Sequence, residues 1–120
     1  MVFPKKIFNS YKYECDLKQI SRENWLKDLE EISPQLLFIE SAWRGENDQW
    51  HNLINKNVEE LQGIVSWCKK NNIPTIFWNK EDPIHFQTFL NTAQNFDYIF
   101  TTDLDCIPRY QEELNNDQVY

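Results

Sequence analysis

The chain has 120 residues, 41% of them hydrophobic and 15% aromatic, enough apolar surface for a single packed domain over 1–120. A formal net charge of −7 argues against a nucleic-acid or anionic-membrane surface, and two glycines, Gly45 and Gly63, leave no material for a glycine-rich phosphate loop. The three cysteines, Cys15, Cys68 and Cys106, match neither a disulfide framework nor a zinc-ligand spacing, which points to a reduced, cytoplasmic protein. No window approaches the roughly 18 apolar residues of a membrane span, and the N-terminal MVFPKKIFNSY lacks the apolar core of a signal peptide.

Up to about Ile20, aromatic and charged residues alternate, as in YKYECDLKQI, which fits either an edge strand or an ordered loop. Ser21 reads as an N-cap for a helix whose apolar positions are Trp25, Leu26, Leu29 and Ile32, stopped by Pro34. The apolar run Leu36 to Glu40 predicts a strand buried on both faces, and a polar loop follows from Ser41 to Trp50. A second helix is expected from about Asn55 to Lys70, with Val58, Leu61, Val65 and Cys68 on one face, Ile64 and Trp67 widening it, and Asn71, Asn72 and Pro74 ending it. Thr75 to Trp78 reads as a strand and Pro83 as the start of a helix carrying Ile84, Phe86, Phe89, Leu90 and Ala93. Asp97 to Thr101 forms a third strand, and Cys106 to Leu114 a last helix with Pro108 tolerated in its first turn. Val119 and Tyr120 stand where a fourth strand would begin.

Strands alternating with helices predict βαβ units and a parallel sheet: an α/β, Rossmann-like three-layer sandwich. In such a sheet the C-terminal ends of all strands share one edge, where open α/β folds bind ligands. Three polar segments therefore converge: Glu40-Ser41-Ala42-Trp43-Arg44-Gly45, Asn79-Lys80-Glu81-Asp82-Pro83 with His85, and Thr101-Thr102-Asp103-Leu104-Asp105. Helix N-termini aimed at the same edge add partial positive charge suited to an anionic group.

Glu81 and Asp82 are the candidate acid/base pair, since a carboxylate near Phe77 and Trp78 is partly desolvated and its pKa rises toward a working value. Asp82 has the rival duty of N-capping a helix at Pro83, so Glu81 is the preferred functional carboxylate. Lys80 fits either an ion pair with Glu81 or Glu40, or a substrate phosphate. His85 serves as a base or donor, or simply caps its helix. Trp43 and Trp50 flank a loop and suit either sugar stacking or anchoring, and the fork of Arg44 suits a carboxylate or phosphate. Asp103 and Asp105, spaced by one residue after a strand, match a divalent-cation pair in a metal-dependent transferase, but short D-x-D matches are frequent by chance and either residue more simply caps the helix containing Pro108. His51 has no assigned role.

FIESAWRG, IPTIFWNKEDPIHF and DYIFTTDLDCIPRY together resemble the N-terminal domain of CgeB-like (spore-maturation-type) glycosyltransferases, a bacterial group. The resemblance runs from about Tyr13 to Tyr120, and WNKEDP with the following histidine is its most specific block. It implies a two-domain GT-B fold, of which this chain is the partial N-terminal half. It further implies an acceptor glycan held here with no bound metal or cofactor, while the nucleotide sugar is bound only with a second domain. Matched residue by residue, Glu40, Trp43 and Arg44 fall in the first block, Asn79, Lys80, Glu81, Asp82 and His85 in the second, and Thr102, Asp103 and Asp105 in the third. A domain interrupted at its fourth strand is also expected to expose a sheet edge and to self-associate.

Overall fold

The computed structural model describes residues 9–41, 50, 54 and 58–120. Among the described residues seven elements follow one another: α1 (Trp25–Ile32), β1 (Leu37–Glu40), α2 (Val58–Lys70), β2 (Thr75–Asn79), α3 (Phe86–Ala93), β3 (Tyr98–Thr101) and α4 (Cys106–Leu114). The strands form a three-stranded parallel sheet in the order β1-β2-β3. This is a small α/β fold with flanking helices, compatible with a Rossmann-like fragment.

Stepping through the sheet in one direction with right-handed crossovers puts the connecting helices on the same face. The burial pattern agrees. Leu37, Ile39, Phe77 and Ile99 point into one cluster that also holds Leu29 of α1, Leu61, Ile64, Val65 and Cys68 of α2, Phe86, Phe89 and Ala93 of α3, and Cys106 and Tyr110 of α4. The alternate strand residues Phe38, Ile76, Trp78 and Phe100 are only half-buried, and Tyr98 is exposed. β1 is therefore not buried on both faces as expected. Among the described residues helices cover one side of the sheet, giving two layers rather than three.

On the less covered face Phe38 meets Trp78 and Phe100 edge-on, with centroids 6.4 and 6.3 Å apart, and Phe100 meets Tyr120 at 5.9 Å. Leu36, Pro74, Ile76, Tyr98, Phe100 and Tyr120 line a shallow apolar hollow of ≈ 380 Å³ there. Val119 makes a parallel bridge with Ile99, and Thr101 N–H donates to the Tyr120 carbonyl at 2.8 Å, the beginnings of a fourth strand beside β3.

Several boundaries differ from the sequence expectation. Residues 9–20 hold a helical turn at 9–11 and irregular chain, the loop rather than the strand alternative. α1 starts at Trp25 behind Asn24, because Ser21 is used otherwise: its hydroxyl accepts Asn24 N–H at 3.3 Å and donates to Asp28 at 2.9 Å. The start of the helix expected from Asn55, with the Val58 side chain, lies outside the described residues. At its other end Asn72 adopts φ 56° and Ile73 N–H reaches back to the Cys68 carbonyl at 2.9 Å, the left-handed stop that asparagine tolerates. α3 begins at Phe86 and not at Pro83, leaving Ile84 85% exposed and off the core face. Asp97 precedes β3, where its carboxylate accepts from Thr75 N–H and Oγ1 at 3.0 and 3.1 Å. All three cysteines are free thiols, Cys68 and Cys106 buried, and burial pushes the Cys68 thiol up to about 11. Among the described residues no helix is long and apolar enough to cross a membrane.

Candidate functional site

The register of the sheet aligns Glu40 with Trp78 and Asn79 with Thr101, so the three strand exits lie side by side at one edge. Among the described residues two connected side-chain groups occupy it.

The first joins β1 to β2. Glu40 has a fully buried side chain, and Lys80 Nζ donates to its Oε1 at 3.1 Å, with 29% of the lysine side chain exposed. The lysine thus takes the ion-pair alternative, with Glu40 as its partner. Ser41, also buried, accepts Lys80 N–H on its Oγ at 3.0 Å and donates its own N–H to the Trp78 carbonyl at 2.9 Å. Among the described residues Glu40 Oε2 is buried with no hydrogen-bond partner. Burial drives the Glu40 carboxyl above the usual carboxylate range, Lys80 opposes the rise, and the nearby Glu81 charge adds to it.

The second group joins β2, β3 and α4 around Asp82. Asn79 Nδ2 donates to Asp82 Oδ1 at 2.8 Å and to the Tyr110 hydroxyl at 2.9 Å. Tyr110 in turn donates to Asp82, 2.9 Å from Oδ2, and Thr101 Oγ1 donates to the same oxygen at 2.6 Å. Burial again raises the Asp82 carboxyl, with the Thr101 and Tyr110 hydrogen bonds holding it back. The Tyr110 phenol is pushed upward, chiefly by burial, and so keeps its proton to donate. Asp82 therefore does not cap a helix at Pro83. Its carboxylate is turned toward β3 and α4, and the regular helix begins at Phe86, behind His85, whose side chain makes no cap hydrogen bond.

Glu81 is half-buried between the two groups, its N–H donating to Asn79 Oδ1 at 3.1 Å. His85 is half-buried, and its backbone N–H donates to the Glu81 carbonyl at 3.0 Å. Thr102 and Asp105 are exposed. Asp103 closes a local turn: its N–H donates to Thr101 Oγ1 at 3.1 Å, and its Oδ1 accepts Asp105 N–H at 2.9 Å. Asp105 stands at the N-cap position of α4 without a side-chain cap bond. Among the described residues no three histidine, cysteine or carboxylate side chains gather as a metal-binding group. Trp50 is 1% exposed within the core, the anchoring alternative. Trp43, Arg44 and His51 lie outside the described residues.

Sequence reasoning missed Tyr110. The available signal was its position four residues after Cys106 on the inward face of α4, since a buried tyrosine hydroxyl requires a partner. Arg109 beside it lies over the Phe86 ring, 3.9 Å from the centroid. The chain matches no protein-family model, no curated protein and no solved structure.

Proposed function

We propose that this chain is the acceptor-side, N-terminal domain of a GT-B glycosyltransferase of the CgeB-like type, binding a glycan along the C-terminal edge of its sheet. The single observation that carries the reading is the pair of buried or half-buried carboxylates, Glu40 and Asp82, gathered with Lys80, Asn79 and Thr101 where three parallel strands end. Hydroxyl-rich ligands are recognised by such mixed donors and acceptors, and open α/β sheets bind ligands at that edge. The motif resemblance supplies the reaction class.

In this reading Glu81, on the turn between the two groups and not absorbed into the Asp82 network, takes the proton from an acceptor hydroxyl. That oxygen attacks the anomeric carbon of a nucleotide sugar held by a second domain, and the nucleoside diphosphate leaves with the bonding electron pair. Asp82 and His85 belong to the same turn, and Asp82, with both oxygens engaged, fixes its shape. A non-catalytic glycan-binding role draws on that same engagement of Asp82, which favours positioning over proton transfer.

A thermal-shift series separates these readings. Stabilisation by oligosaccharides and not by nucleotide sugars is the outcome expected of an acceptor-side domain. Stabilisation by a nucleotide sugar overturns it and favours a transferase using Asp103 and Asp105 with a divalent cation.

A further inference from the structure

Buried polar atoms in folded proteins nearly always have a partner, so an unpartnered one calls for a specific explanation. Among the described residues Glu40 Oε2 is such an atom. It belongs to a side chain with 0% exposure, at the edge of the sheet where ligands bind, and the other oxygen of the same carboxylate is fixed by Lys80 at 3.1 Å. We propose that Glu40 Oε2 is a hydrogen-bond acceptor kept for an uncharged hydroxyl group of a bound ligand, with Lys80 as the positioning residue that holds the carboxylate for it.

Charge selects the ligand class. The Lys80 ammonium already neutralises Glu40, so a cationic amine approaching Oε2 would meet a second positive charge on the same carboxylate. An anion would meet the carboxylate oxygen itself. A neutral O–H donor meets neither repulsion and supplies the missing hydrogen bond. This inference rests on the acceptor-site reading above and deepens it, by naming the group that is read and the atom that reads it.

The test is saturation-transfer NMR on the full chain with glucose, galactose and mannose as neutral probes, and glucosamine and glucuronate as their cationic and anionic counterparts. At least one neutral hexose is expected to bind more tightly than either charged sugar, with an affinity about tenfold weaker in Glu40→Met and unchanged in the surface control Glu112→Gln. If Glu40→Met does not melt cooperatively, Glu40→Gln replaces it: its carbonyl keeps Lys80 and its amide presents N–H where the acceptor stood, for an expected loss of about fivefold. Tighter binding of glucosamine or glucuronate, absence of hexose binding at tens of millimolar, or hexose binding that survives the Glu40 substitution overturns the inference. Survival in the Glu40 variant leaves the acceptor-domain reading standing, whereas stabilisation by a nucleotide sugar overturns that reading and not this one.

Discussion

The Tyr110 hydroxyl donates to Asp82 at 2.9 Å, across 28 positions of sequence, and ties α4 to the turn that leaves β2. Through Asp82 the same contact reaches Asn79 and Thr101, so one phenol organises the ends of two strands.

Tyr110→Phe removes one donor to a partly buried carboxylate and one acceptor for the Asn79 amide. Leaving such groups short of a partner costs about 1–3 kcal/mol. Urea unfolding should show a loss in that range with an unchanged m-value. A variant as stable as the parent would mean that water replaces the phenol at no cost.

The Glu40–Lys80 pair predicts an asymmetry with pH. A carboxyl whose folded pKa lies above its unfolded value, 4.5 for glutamate, contributes stability that is complete below that value and fades as pH rises through the folded one. Glu40→Gln should therefore flatten the fall in stability above pH 4.5. Lys80→Met leaves the buried carboxylate uncompensated and should cost about 3 kcal/mol at neutral pH. At low pH, where Glu40 is protonated, most of that cost should vanish. An equal cost across the pH range in chemical denaturation would contradict the assignment.

Gly63 lies inside α2, and a methyl group there would sit 3.9 Å from Trp25 Cζ2, an ordinary contact distance. Gly63→Ala should raise stability by about 0.5–1 kcal/mol, since alanine loses less backbone freedom in a helix. A lower melting temperature would show that α1 packs on α2 too closely for a methyl group.

The aromatic face of the sheet, with Tyr98 at 36% and Tyr120 at 59% exposed, should bind an apolar fluorescent dye and promote self-association. Tyr98→Lys should weaken both effects. Sedimentation at several concentrations showing only monomer would contradict the expected association.

Much of the fold was legible in the sequence because periodicity reports burial directly. Leu61, Ile64, Val65 and Cys68 mark the inward face of α2, and Phe86, Phe89 and Ala93 that of α3. The unevenly covered sheet was not legible, since Phe38, Trp78 and Phe100 are as apolar as residues of a fully buried strand. The convergence of Glu40, the Asn79 to Asp82 turn and Thr101 followed from parallel strands sharing an edge. Which carboxylate is left with an open oxygen did not, because that depends on partners far away in sequence: Lys80 for Glu40, and Thr101 and Tyr110 for Asp82.

The most direct measurement of the central claim is a map of backbone amide shifts in the 15N-labelled chain on titration with oligosaccharides and, separately, with nucleotide sugars. The account predicts saturable shifts at Glu40, Ser41, Asn79 to Asp82 and Thr101 to Asp105 with an oligosaccharide, and none with a nucleotide sugar. Shifts confined to the aromatic face, or shifts at the strand ends with the nucleotide sugar alone, would contradict it.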